Sequence, residues 1–189
     1  MCFIKDEEFI RGNCPMTKEE IRILAVSKMK VKKTHNVLDV GAGTGSVSVQ
    51  LSKICKEGKV VAIEKDEEAL RVIDENKKKF QCSNLHIVKG EALLVEPSIK
   101  EKFNSIFIGG SGGDIEEIIR KYSLKLQDNG VMVLNFITLK NAVKAMDCLN
   151  ALNYETEAIQ VAINKVKGKS YMLMANNPIF IIEAKKKLL

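Results

Sequence analysis

The run Asp39-Val40-Gly41-Ala42-Gly43-Thr44-Gly45 sets a carboxylate ahead of three glycines at alternate positions, and a second carboxylate, Glu64, follows 19 residues after Gly45. Glycines tolerate unusual φ angles and let a ligand lie against bare backbone, which is what a strand-to-helix turn needs where a nucleotide-like group approaches closely. The spacing G-x-G-x-G puts Ser46 where the dinucleotide fingerprint G-x-G-x-x-G has its third glycine, which argues against NAD or FAD. Asp39 is placed to hold the loop or, through water, to face an ammonium group. An acid at the end of the second strand suits a ribose with two free hydroxyls and repels a phosphorylated one. Together these features point to S-adenosylmethionine as cofactor, held by Asp39, Gly41, Ala42, Gly43, Thr44, Gly45 and Glu64. Its adenine is then expected near Gly90-Glu91-Ala92, against the Ala92 N–H and the Glu91 side chain. Glu91 fits equally well as a solvated acid at a helix start, and a glycine loop standing alone would fit a plain turn.

A second glycine-rich stretch, Phe107-Ile108-Gly109-Gly110-Ser111-Gly112-Gly113-Asp114, leaves backbone N–H groups ahead of a helix. It suits either carboxylates of an anionic substrate at the helix N-terminus or a tight turn against the cofactor. It lacks the Asn/Asp-Pro-Pro-aromatic run usual in adenine amino methylation. Cytosine carbon methylation needs a thiolate, usually in a Pro-Cys pair, whereas Cys14 precedes Pro15. No Cys-His or Ser-His constellation is present, so no catalytic acid, base or nucleophile is assigned. Five widely spaced cysteines without a C-x-x-C pair, and only His35 and His86, predict neither a zinc site nor disulfides.

These residues need a frame. Short β-branched runs at Asn36–Val40, Lys59–Glu64, Leu85–Lys89, Ser105–Ile108, Val131–Phe136, Glu155–Ile163 and Ile179–Ala184 alternate with helical patterns at Thr17–Ser27, Ser46–Cys55, Glu67–Phe80, Ile115–Leu126 and Lys140–Asn150. Alternation of this kind predicts βαβ units around a largely parallel sheet. Thr17 with Glu20 reads as a capping box, Asp114 as an N-cap, and Asp128-Asn129-Gly130 as a turn into the fifth strand. No helix-length segment separates the last two strands, so they should form an antiparallel pair at one end. The fold class expected is α/β: a class I methyltransferase sheet of seven mostly parallel strands, with helices on both faces.

A length of 189 residues suits one domain spanning the whole chain, with residues 1–18 as an N-terminal lid segment. The formal charge of +6 favours an anionic partner without choosing between nucleic acid and a polycarboxylate. Aromatic residues make up only 5% with no Trp, so platforms for stacking bases are scarce and no nucleic acid partner is expected. No stretch approaches the ~20 apolar residues that cross a bilayer, and Met1 to Gly12 lacks the apolar centre of a signal peptide, so no membrane association and a cytoplasmic location are expected. A class I enzyme acting on RNA, and a non-catalytic cofactor-binding partner subunit, stand as alternatives.

Beyond the loop, the segments Glu8-Phe9-Ile10-Arg11-Gly12-Asn13, Pro15-Met16-Thr17-Lys18, Gly41 to Ser48 and Ile108 to Gly113 resemble the CbiT family, the cobalt-precorrin methyltransferases that act on carbon 15 and remove a carboxylate during anaerobic cobalamin synthesis. The closing Asn176-Asn177-Pro178-Ile179-Phe180-Ile181-Ile182 looks like that family's last strand, while Cys14 stands where the family commonly has a larger aliphatic residue. The resemblance implies a tetrapyrrole substrate, a homotetramer, and Thr17 as a further cofactor contact. Arg11, Asn13, Ser111, Asn135 and Thr138 are the candidate substrate residues. Arg11 fits equally a pairing with a nearby acid, and Thr138 a cap on the helix from Lys140. Tyr171-Met172-Leu173-Met174 suits either a subunit interface or a core strand.

Overall fold

The computed structural model describes residues 3–110 and 114–186. Its strands are β1 (Val37–Val40), β2 (Val60–Glu64), β3 (Leu85–Lys89), β4 (Phe103–Gly109), β5 (Leu126–Phe136), β6 (Tyr154–Val161), β7 (Asn164–Lys167), β8 (Met172–Ala175) and β9 (Ile179–Lys186). Seven of them form one sheet in the order β3-β2-β1-β4-β5-β9-β6. Neighbours from β3 to β5 pair in parallel, and β9 runs antiparallel to both β5 and β6. This is the class I methyltransferase sheet expected from the sequence. Strands β7 and β8 form a separate antiparallel hairpin.

Helices α1 (Glu19–Lys28), α2 (Ser46–Ile54) and α3 (Glu67–Lys79) cover one face; the short α4 (Ala92–Val95), α5 (Ile115–Ser123) and α6 (Leu139–Ala151) cover the other. A sheet covered twice must be apolar on both sides. Accordingly Leu38 and Val40 of β1 join one core, with Ile106, Met132 and Ile119, while Val37 joins the other, with Ala25, Val49 and Ile73. Within β1 the exception is Asp39, a fully buried carboxylate. Asp66 caps α3 by accepting from Ala69 N at 2.9 Å, and Asp114 caps α5 by accepting from Glu117 N at 3.3 Å.

Three local expectations change. The Thr17/Glu20 capping box does not form: α1 begins at Glu19 with Lys18 as N-cap, and Glu20 instead meets Lys165 of the hairpin at 2.5 Å. Asp128-Asn129-Gly130 is not a turn before β5 but an irregular stretch within it, since Leu126 to Val131 opposes only Phe103 to Ser105. The connection from β6 to β9 is the hairpin β7–β8, whose Tyr171, Met172, Leu173 and Met174 are exposed, which removes the core-strand reading of that segment.

The N-terminal segment is stapled to the body. Arg22 of α1, wholly buried, donates to Thr17 O at 2.8 Å and Asp6 Oδ1 at 3.2 Å, and lies 4.7 Å over the Phe9 ring. Asn76 of α3, also fully buried, donates to Ile10 O at 2.8 Å and to Thr44 O at 2.9 Å while accepting from Ile10 N at 2.9 Å. One amide therefore ties both the N-terminal segment and the glycine loop to α3.

Candidate active site

At the carboxyl ends of the parallel strands, where open α/β sheets bind ligands, two cavities meet. A larger one of about 430 Å³ is lined by Pro15 to Lys18, Ile21, the loop, Asn135 to Ile137, and residues of β6, β9 and the segments around the hairpin. A smaller one of about 190 Å³ is lined by Glu64, Lys65, Gly90, Glu91 and Ala92, among others. Gly41, Gly109 and Gly110 border both. Gly41 has φ +78°, and a Cβ there would sit 2.2 Å from the Gly109 carbonyl, so only glycine lets the two strand ends come together.

The loop uses its N–H groups internally, a departure from the bare backbone expected. Gly41 N and Ala42 N both donate to Ile63 O at 3.0 Å, and Gly43 N donates to Glu64 Oε2 at 2.7 Å. Glu64 Oε1 in turn accepts from Lys65 N at 2.7 Å and Asp66 N at 2.9 Å. Its carboxylate is thus fixed at the rim of the smaller cavity by three backbone donors. Glu91 Oε2 pairs with Lys65 Nζ at 2.8 Å, and Ala92 opens α4, where first-turn N–H groups lack helical partners.

Asp39, Thr44 and Gly45 line neither cavity. Asp39 accepts a short hydrogen bond from Ser48 Oγ, its Oδ1 has no partner among the described residues, and burial pushes its carboxyl up to about 7. That bond ties the end of β1 to α2, the two elements that the loop joins. Thr44 contributes its carbonyl to Asn76, and Gly45 gives space, since a Cβ there would lie 2.3 Å from Ile73 Cγ1. Thr17 lines the larger cavity and takes Ser46 Oγ on its carbonyl at 3.4 Å.

Of the candidate substrate residues, Asn135 lines the larger cavity. Arg11 and Asn13 instead border an adjoining open groove that also includes Pro15, Met16 and Lys18. There Arg11 pairs with Asp6 at 3.7 Å, the bland alternative, and Asn13 N donates to Glu68 Oε1 at 2.9 Å. Thr138 is corrected: it is exposed, borders neither cavity, and caps α6 by accepting from Asn141 N at 3.4 Å. Ser111 lies outside the described residues. Lys18, Ile137, Val161, Ile163, Asn176, Asn177 and Ile179 line the larger cavity without having been singled out as contacts. Lys18, Asn176, Asn177 and Ile179 fall inside the motifs Pro15 to Lys18 and Asn176 to Ile182, which by themselves assigned them no contact, whereas Ile137, Val161 and Ile163 belong to no motif and are brought together from distant positions at the ends of β5 and β6.

Residues 8–186 match the profile of the precorrin methyltransferase domain. A relative from Sulfolobus acidocaldarius is 45% identical over 97% of each chain. One from Salmonella typhimurium, named cobalt-precorrin-6B C(15)-methyltransferase (decarboxylating), is 37% identical over 97% of this chain and 96% of its own. A crystal structure from Geobacter metallireducens, titled as a precorrin-6y C5,15-methyltransferase, superposes with a TM-score of 0.93 at 35% identity, covering 98% of this chain and 96% of that one.

Proposed function

The chain belongs to the precorrin methyltransferase family, and from that premise we propose that it methylates carbon 15 of a cobalt-precorrin and decarboxylates an acetate side chain of the same ring in cobalamin biosynthesis. The observation that carries this reading is the pair of cavities meeting at Gly41, Gly109 and Gly110. The smaller has the carboxylate, the glycine and the helix start that a ribose and an adenine require. The larger is mostly apolar and opens beside it, where a conjugated macrocycle can reach.

S-adenosylmethionine fits this cradle, since the Gly41 position admits no Cβ and Glu64 stands fixed at the rim. Bound there, it supplies an electrophilic methyl group. Glu64 would hold the ribose hydroxyls, Glu91 and Ala92 the adenine edge, and Thr17 with Gly41, Ala42 and Gly43 the methionine end. Asp39, Thr44 and Gly45 set the shape of the loop beneath it. The substrate is a reduced tetrapyrrole whose bridging carbon is already nucleophilic, so the chain's task is to fix that carbon in line and exclude water. Arg11, Asn13, Ser111 and Asn135 are the residues proposed for its carboxylates and edges. Residues 1–18 act as a lid on a single domain of 1–189, and the exposed row of β8 serves as an interface within a homotetramer located in the cytoplasm.

The test is incubation of the purified protein with methyl-labelled S-adenosylmethionine and cobalt-precorrin-6B. The expected product carries the label and has lost carbon dioxide. Label appearing only in tRNA would favour the RNA reading, and cofactor binding without any transfer would favour a non-catalytic subunit.

A further inference from the structure

Asn135, near the carboxyl end of β5, is only 9% exposed, and neither its Oδ1 nor its Nδ2 has a hydrogen-bond partner among the described residues. It sits between Gly109 of β4 and Ile181 of β9, on the same face as the core residue Val133. A buried amide with both atoms unpaired is a standing cost to the fold, and such groups call for a ligand that completes them. The cavity it borders is otherwise walled largely by Met16, Ile21, Phe136, Val161, Ile163 and Ile179. Lys18 is the one titratable or charged residue among the described residues lining that cavity; it also borders the open outer groove, which places it at the rim.

Resting on the function proposed above, we propose that Asn135 is the receptor for the acetate carboxylate that leaves the substrate, held by a neutral amide in an apolar enclosure rather than by a buried cation. Decarboxylation spreads a localised negative charge into the ring. A carboxylate desolvated by apolar walls and left unpaired by any deep cation is therefore raised in energy relative to its transition state. One neutral donor suffices to orient it, so that the breaking bond stands across the plane of the conjugated system. The bond between the side-chain methylene and the carboxylate breaks, and its electron pair enters the ring, which methyl transfer has left electron-poor. Carbon dioxide departs, and the methylene takes a proton from water, offset by one that the ring releases. An Arg or Lys at position 135 would bind the carboxylate better and let it go more slowly.

The experiment uses the full chain with S-adenosylmethionine and cobalt-precorrin-6B, following methyl gain and carbon dioxide loss separately by product mass. Asn135→Asp places a carboxylate against the substrate's own. Decarboxylation at neutral pH is expected to fall by ~100-fold or more and to return as pH is lowered, because a protonated Asp has the shape and the donor of Asn. The wild type should lack that acid limb. Asn135→Ser, a smaller change that keeps the fold if Asn135→Asp does not, should lower the ratio of decarboxylated to methylated product by ~10-fold with no pH rescue. A pH profile of Asn135→Asp parallel to the wild type overturns the proposal. So does calorimetry in which either variant loses cofactor affinity in step with turnover, which would assign Asn135 to the cofactor. Failure of the wild type to convert cobalt-precorrin-6B would sink the proposed function itself, a result distinct from a competent wild type with unaffected variants.

Discussion

Two carboxylates of the loop region do different work because their surroundings differ. Glu64 accepts from the backbone of Gly43, Lys65 and Asp66 and faces the smaller cavity. Glu64→Ala would release Gly43 and remove the ribose contact proposed for Glu64, and should weaken S-adenosylmethionine binding by on the order of 100-fold, as expected for losing one or two strong hydrogen bonds. Unchanged affinity by titration calorimetry would remove Glu64 from the ribose. Asp39 is wholly enclosed, and burial raises its carboxyl to about 7 despite the hydrogen bond from Ser48. A raised carboxyl means that the folded state holds its proton more tightly than the unfolded chain does. Its contribution to stability is thus complete below the ordinary carboxylate range and is lost as pH rises through 7, a difference of roughly 4 kcal/mol. Asp39→Asn keeps an acceptor for Ser48 and removes that titration. Its stability relative to the wild type should climb between pH 4 and 7 and level off above, as read from urea unfolding at a series of pH values. A constant difference across that range would show that Asp39 titrates normally.

At the scale of elements, α3 is the part that organises the site without touching it. Its Asn76 bonds Ile10 from both ends of the amide and Thr44 with the second N–H, so the N-terminal segment and the glycine loop share one anchor. Gly45 lies close against Ile73 of the same helix. Asn76→Ala should cost about 3 kcal/mol, because it leaves buried backbone groups unpaired at both places. Hydrogen exchange should rise at the Ile10 amide well before the strands of the sheet open. Protection at Ile10 that stays equal to the wild type would show that the other anchors of the segment, Arg22 and Glu68 among them, suffice to hold it.

For the molecule as a whole, the hairpin β7–β8 is the part with least to pack against. Tyr171, Met172, Leu173 and Met174 stand exposed in sequence, an apolar run that a subunit interface would cover. If the proposed tetramer uses this row, placing a charge in the middle of it, as in Leu173→Lys, should shift the assembly toward smaller species in sedimentation velocity while leaving the thermal melt of the sheet largely in place. A tetramer that persists would move the interface elsewhere.

The sequence by itself determined the alternation of strands and helices, the glycine loop with Glu64, and the family, because each is written in neighbouring residues: periodicity, φ-permissive glycines, and short motifs such as Pro15-Met16-Thr17-Lys18. It misplaced what depends on partners far along the chain. Thr17 and Glu20 have the spacing of a capping box, yet Lys18 is the N-cap and Lys165, far along the chain, draws the Glu20 carboxylate into a tertiary ion pair. Thr138 and Asn135 sit three residues apart and looked equivalent, but the first caps a helix while the second, buried, lines a mostly apolar cavity. Only the tertiary structure could decide between them, since the walls of that cavity come from β6, β9 and the N-terminal segment, and burial is a property of the assembled walls and not of the local pattern.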